Sequence, residues 1–292
     1  MFKARLLAFA GVIAAALPAA LPSGAYAQSS VQDLCPDGYA ALEAQSPDTA
    51  VPAFEACLAE QLYDWPVEAE LRARLGAAQL ASGDSEAALL TYNQVFALVD
   101  GNGGDADHPL IRRNRAMAYL NLDRPAEALE DLERALIAAP GDSFSQLLAG
   151  SAHLELDQPE LAVAAFDAAL RNDPDYLSAR IGRSAAFVEL GLAEEAVADG
   201  REAVSIAPED ASALNALCWA LVKAGRAADG LSICDAAVEA DPESGPIVHS
   251  RAAALEQLGR HDEAADLYSR AHDLAPDDPE IAADHRRMSG AE

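Results

Sequence analysis

The sequence predicts an all-α fold, a solenoid of stacked helix-turn-helix repeats. Pro140, Pro174, Pro208, Pro242 and Pro276 stand 34 residues apart, and a fixed period of this length marks a repeat architecture. Each proline ends a similar phrase: ERALIAAPGD, DAALRNDPDY, REAVSIAPED, DAAVEADPES and SRAHDLAPDD. The composition agrees, because 51% hydrophobic residues with only 5% aromatics and abundant alanine favour closely packed helices over a sheet.

The chain opens with a secretory signal pattern over residues 1–27. Lys3 and Arg5 form a basic start, Leu6 to Leu17 an apolar stretch, and Ala25-Tyr26-Ala27 an A-x-A cleavage site. The alternative is a retained membrane anchor. However, Pro18 and Pro22 interrupt the run, which is short for a span of ~20 residues. The expected localisation is periplasmic or secreted, with no membrane span in the mature chain.

Residues 28–66 follow as an N-terminal helical hairpin, a degenerate repeat. With a repeat start at Val31, Gly38, Ala50, Phe54 and Cys57 fall at positions 8, 20, 24 and 27, although Pro36 and Pro52 disturb the pattern. The solenoid proper is expected over residues 67–278, with about six repeats. The first runs from about Ala69 to Asn102 and carries Gly76, Gly83, Ala88 and Tyr92 at positions 8, 15, 20 and 24. A loop insertion, residues 101–108, separates it from the next. Its DGNGGDAD run invites a calcium reading, but the closing glutamate of a calcium loop is absent.

Five repeats then start at Pro109, Ser143, Leu177, Ala211 and Gly245. Position 8 holds Ala116, Gly150, Ser184, Cys218 and Ala252; positions 20 and 27 are also small throughout. Leu132, Phe166 and Tyr268 supply bulk at position 24. Small residues at fixed places allow close helix approach, and bulky neighbours fill the flanks. At position 15, Gly191, Gly225 and Gly259 are expected to end one helix in a left-handed turn, and Asp123 and Asp157 to cap the next. Pro125 and Pro159 suit the first turn of the second helix. Asp142, Asp175 and Asp210 are placed to cap first helices. Residues 279–292 are expected to form a polar capping helix and tail, because a last repeat otherwise exposes its stacking face.

This pattern resembles the tetratricopeptide repeat family, of a secreted or periplasmic bacterial type. The small residues, Tyr119 at position 11 and the five prolines carry the resemblance; the family's tryptophan at position 4 is missing. The resemblance implies a right-handed α-α superhelical solenoid with a concave face. It further implies that positions 2, 5, 9, 12 and 13 of the first helices meet a partner. From these positions the candidate groove residues are Leu110, Arg113, Met117, Phe144, Leu147, Leu154, Ile181, Val188, Asn215 and Trp219. The family's dicarboxylate clamp is present only as a fragment, Arg113 with Asn114 and Asn215.

The chain has four cysteines. In an antiparallel helix pair, facing positions have a constant sum. Cys218 and Cys234 occupy positions 8 and 24, and Cys35 and Cys57 occupy positions 5 and 27. Facing α-carbons should stand roughly 4–6 Å apart, within reach of a disulfide. Topology therefore favours Cys35–Cys57 and Cys218–Cys234, with buried free thiols as the alternative.

No catalytic pattern emerges. The six histidines lack metal-site spacing, and no phosphate loop, haem motif or nucleophile elbow is present. No cofactor and no metal is expected, and the chain is not expected to be an enzyme. After removal of residues 1–27, 18 Lys/Arg face 48 Asp/Glu, a formal charge of −30; no nucleic-acid partner is expected, because phosphate binding needs a basic footprint. A protein or peptide ligand remains, held by a non-enzymatic adaptor or scaffold. The other candidate is a redox-linked accessory protein using Cys218/Cys234, in oxidative folding or cytochrome maturation. Arg72, Arg74, Arg112, Arg113, Arg115, Arg180 and Arg183 gather on first helices. They suggest a less negative inner wall that would suit an acidic peptide or a C-terminal carboxylate.

Overall fold

The computed structural model describes residues 28–60, 63–104 and 108–290. The expected signal peptide lies outside them, as do residues 105–107 of the expected insertion. Every regular element among the described residues is an α-helix. The chain divides into two compact units, with the boundary between Leu148 and Ala149. The first unit holds α1 (Gln28–Leu34), α2 (Pro36–Glu43), α3 (Pro47–Glu60), α4 (Trp65–Ala81), α5 (Ser85–Gly101), α6 (Pro109–Asn121), α7 (Pro125–Ala138) and the start of α8 (Ser143–Glu155). The second holds the rest of α8, α9 (Pro159–Asn172), α10 (Leu177–Glu189), α11 (Ala193–Ile206), α12 (Ala211–Lys223), α13 (Ala227–Ala240), α14 (Gly245–Gln257), α15 (His261–Leu274) and α16 (Pro279–Ser289).

Short turns make consecutive helices antiparallel neighbours. In the first unit α4 packs on α5 and α6 on α7; in the second α10 packs on α11, α12 on α13 and α14 on α15. Second helices also meet the next first helix, as α5 does α6 and α11 does α12. First helices touch one another as well, α10 with α12 and α12 with α14, and so share one layer of the second unit. This is the expected solenoid of helix pairs.

The turn within each pair has one conformation. Position 15 has positive φ in all seven repeats, at Gln45 (53°), Gly83 (85°), Asp123 (57°), Asp157 (58°), Gly191 (72°), Gly225 (71°) and Gly259 (76°). Asp123 and Asp157 therefore take the glycine's own role and do not cap. The helices that follow have Arg124 and Gln158 at the cap position, without a side-chain cap. Aspartate tolerates the left-handed region better than most residues. Capping of the first helices is also uneven. Asp210 accepts the Ala213 amide at 2.8 Å. Asp175 lies one residue too early, since Tyr176 holds the cap position of α10. Asp142 accepts the Ser145 hydroxyl at 2.6 Å and pairs with Arg113.

Within each pair the two helices cross where position 8 faces position 24. A β-carbon added at Gly76 would lie 2.8 Å from the Tyr92 ring, and one added at Gly150 would lie 2.5 Å from Phe166. Elsewhere alanine faces a bulky residue, as Ala116 faces Leu132 and Ala252 faces Tyr268, all buried. Two consecutive repeats depart from this rule. Ser184 faces Gly200, where the α11 backbone comes so close to α12 that a β-carbon would lie 2.8 Å from the Leu217 α-carbon. Cys218 faces Cys234, and they form a disulfide with α-carbons 5.1 Å apart. The second disulfide, Cys35–Cys57, has α-carbons 5.7 Å apart. Both pairings are the expected ones.

The first hairpin shows why its repeat pattern looked disturbed. Pro36 divides the expected first helix into α1 and α2, with Cys35 at the joint in a non-helical conformation (φ −142°). Pro52 sits inside α3, at the cost of one helical hydrogen bond. Phe54 still packs on Gly38, whose added β-carbon would lie 2.9 Å from the ring. α4 starts at Trp65, so the expected boundary at residue 66 falls in its first turn. α5 runs on to Gly101, into the expected insertion.

At the other end, Asp278 caps α16 by accepting the Glu280 and Ile281 amides. Ile281 is buried with Val248 and Ala271. Polar contacts complete the docking. Asp284 meets the buried His249 at 2.9 Å, and Arg287 reaches Glu256 at 2.8 Å and Asp284 at 2.9 Å. Tyr268 donates to Glu256 at 2.7 Å. The His249 hydrogen bond, and then Arg287, hold the Asp284 carboxyl below its ordinary pKa against the opposing effect of burial. Arg287 does the same for Glu256.

These contacts generate two predictions. If the staple replaces a small/large crossing pair, the C218A/C234A variant should lose about 3 kcal/mol in urea unfolding. The C218A/C234L variant, which copies the Ala116/Leu132 pair, should recover about 1–2 kcal/mol of that loss through restored burial; no recovery would refute the substitution rule. At the C-terminus, Asp284 and Glu256 have depressed folded pKa values. Their stabilisation is complete above the unfolded values near 4 and is lost as pH falls through the lower folded values. Amide exchange over residues 279–289 should therefore lose protection below about pH 4, relative to α12 and α13. Arg287→Ala should raise exchange there about three- to tenfold at pH 7.

Candidate binding face

The expected groove residues fall on first helices, and they divide by burial. In the first unit, Met117 (4% exposed) and Leu147 (1%) are core residues. Leu110, Arg113 and Phe144 are half-buried. The Arg113 guanidinium lies over the Phe144 ring at 5.1 Å and pairs with Asp142 at 3.3 Å. In the second unit, Trp219 is only 6% exposed. It packs with Val222, Ala227 and Ala254 beside the Cys218–Cys234 bridge, under the Lys223 ammonium at 4.3 Å. Leu154, Ile181, Val188 and Asn215 are half-buried. Trp219 thus packs into the protein, because position 9 on its first helix also faces the neighbouring first helix.

The arginines are not a free cationic wall. In the first unit Arg72 pairs with Glu68 at 2.7 Å, Arg74 with Glu70 at 3.5 Å, Arg112 with Asp131 at 2.8 Å and Arg115 with Asp131 at 2.6 Å. In the second, Arg180 and Arg183 meet Asp199 at 3.6 and 2.7 Å. Asp199 is the leading cause of the raised Arg183 pKa. This corrects the sequence expectation of a less negative inner wall. Asp131 and Asp199 are buried, and a buried carboxylate deprived of its arginine costs several kcal/mol.

These pairs follow a register that the sequence reading missed. Arginine at position 7 reaches position 23 of its own repeat and position 25 of the preceding one. Arg115 holds Asp131 and, at 2.9 Å, Asn93. Arg183 holds Asp199 and Asp167, and Arg251 holds Asp235 at 2.6 Å. The available signal was a spacing of sixteen residues on either side of an arginine, as in Asp167, Arg183 and Asp199. Position 13 is also engaged between repeats. Asn121 donates to Ser85 at 3.0 Å; Gln257 accepts the Ala227 amide at 3.0 Å and donates to the Val222 carbonyl at 3.1 Å.

Of the expected positions, Leu110, Leu154 and Ile181 carry half-buried aliphatic side chains, and Val188 packs against the clusters around Trp219 and Leu217. Among the described residues no group of His, Cys, Asp and Glu is arranged to hold a metal ion. No described helix is long and apolar enough to cross a membrane. The two bridged cysteine pairs are compatible with an oxidising compartment.

No curated protein matches the sequence. Family models do match. One described as tetratricopeptide repeat covers residues 158–285, and a second with the same description covers 37–102 and 96–143. Among solved structures, a tetratricopeptide repeat protein from Parabacteroides merdae aligns with TM-score 0.70 at 18% identity, covering 89% of this chain and 99% of its own. TTC0263, a tetratricopeptide repeat protein of Thermus thermophilus, aligns with TM-score 0.55 at 20% identity, over 62% of this chain and 98% of its own. The Cut9–Hcn1 assembly of the APC/C aligns with TM-score 0.69 at 10% identity, over 86% of this chain and 48% of that one. These likenesses establish the fold. With the repeat period, the seven left-handed turns and two family models that together span most of the sequence, the chain belongs to the tetratricopeptide repeat family.

Proposed function

We propose that this chain is an exported, non-enzymatic adaptor or assembly scaffold, and that its first helices hold a peptide segment or a helix of a partner protein. Tetratricopeptide repeats generally mediate protein–protein interactions, and the fold is typically non-catalytic. The observation that carries the reading is the pair of half-buried aliphatic side chains, Leu154 and Ile181, on first helices of the repeats. Export rests on residues 1–27 as a cleaved signal peptide and fits the bridging of all four cysteines. A periplasmic or secreted location follows from the same two features.

The redox alternative loses support from the placement of Cys218 and Cys234. Both are fully buried, and thiol–disulfide exchange requires access to a sulfur. Their place at the helix crossing suits a structural staple.

Two measurements test the adaptor. N-terminal sequencing of the exported protein should begin at Gln28. Mature protein immobilised through its C-terminus should capture a partner from an envelope extract of the source cell. The L154S/I181S variant, altered only at half-buried positions and checked for unchanged helicity, should lose it. Equal capture by both proteins would remove the first-helix face from the function.

A further inference from the structure

We infer that the C-terminal helix α16 is a pH-sensitive cap, released from the last repeat when the stacked imidazoles of His272 and His285 both take up protons. This goes beyond the adaptor reading and does not depend on it.

Three of the chain's six histidines, His249, His272 and His285, gather where α16 docks, and they meet opposite kinds of partner. His249 faces the Asp284 carboxylate at 2.9 Å, a partner that a charged imidazolium keeps. His272 of α15 and His285 of α16 face each other, with ring centroids 4.7 Å apart and planes inclined by 24°. Neutral rings stack at that distance, whereas two imidazolium rings repel. His272 adds a second penalty. Its Nδ1 is buried and has no hydrogen-bond partner among the described residues. Proton uptake turns that atom into a charged donor without an acceptor, which costs more than an unmet lone pair.

The charged groups around the pair are engaged elsewhere. α16 packs on α15 and α14. From α14, His249 is held by Asp284, Glu256 by Arg287 and Tyr268, and Arg251 by Asp235. On α15 the residues three and four positions from His272 are Tyr268, Ser269, Ala275 and Pro276; on α16 those from His285 are Ile281, Ala282, Met288 and Ser289. These are the places from which a carboxylate on the same helix would offset the charge. Asp273, Asp284 and Arg286 adjoin the pair in sequence, but adjacent residues do not face each other on a helix. Asp284 is turned to His249 and Arg287, and Asp273 and Arg286 are exposed.

Imidazole takes up its proton between about pH 5 and 8. Proton uptake by the pair opposes docking, so the docking is complete in the upper part of that range and weakens as pH falls through it. Release withdraws Ile281 from Val248 and Ala271, both fully buried in the docked state, and opens the stacking face of the last repeat.

The test is amide exchange of the chain of residues 28–292, corrected for intrinsic exchange at each pH and read over residues 279–289 against α12 and α13. Protection there should fall about three- to tenfold between roughly pH 8 and 5, above the carboxylate step near pH 4. H272F/H285F keeps two facing rings that take up no proton, and should show only the lower step. H249Q, which keeps an N–H toward Asp284, should retain the upper one. Constant protection of the unaltered chain over the upper range would overturn the inference. So would an upper step that survives in H272F/H285F or disappears in H249Q. If either variant leaves residues 279–289 unprotected already at the highest pH, NMR titration of the ring Cε1 protons in the unaltered chain decides. Two separated steps for His272 and His285 support the inference, and independent titration of the two overturns it.

Discussion

The helix crossing within each repeat is the constraint from which the other features follow. In most repeats the two helices approach closely because one presents a small residue where the other presents a large one. Gly76 beneath Tyr92 and Gly150 beneath Phe166 meet this requirement with little space left over. Once the crossing is set, the turn between the helices has one workable path. The residue at position 15 is therefore left-handed even where glutamine or aspartate has to adopt that conformation. The disulfide between Cys218 and Cys234 belongs to the same constraint. It stands at the crossing, following a repeat in which Ser184 and Gly200 leave no bulky residue to fill it.

Charge is organised around the same geometry. An acidic chain keeps many of its few cations where they hold carboxylates against neighbouring helices, and the position 7 arginines, Arg115, Arg183 and Arg251, link their first helices to second helices. Arg115 also lies over the Phe96 ring at 3.9 Å, so its planar group contributes stacking as well as charge.

Much of the fold was legible in the sequence because its signals are local and periodic. The prolines and small residues set the repeat register, and that register alone placed Cys35 opposite Cys57 and Cys218 opposite Cys234. Legibility failed where a residue type serves two local geometries. Asp123 was read as a cap because aspartate favours caps, but the turn required a left-handed residue at that place. The groove was less legible than the fold. Trp219 and Phe144 both occupy expected contact positions, yet Trp219 sinks against the next first helix while Phe144 stays half-buried beneath Arg113. Burial of that kind depends on how neighbouring repeats stack, which a single repeat's pattern does not encode. The arginine pairs were missed for a similar reason, since they join residues sixteen positions apart across a hairpin.

Both disulfides close within a single hairpin, and neither ties one repeat to the next. In a linear array, stability is the sum of each repeat's own folding term and the coupling between neighbours. These bridges strengthen only the first of the two. They leave the inter-repeat couplings as they were, and so lower the cooperativity of the array relative to its stability. When the array melts locally, the hairpins at residues 35–57 and 218–234 are the segments around which order is retained and from which it can spread again.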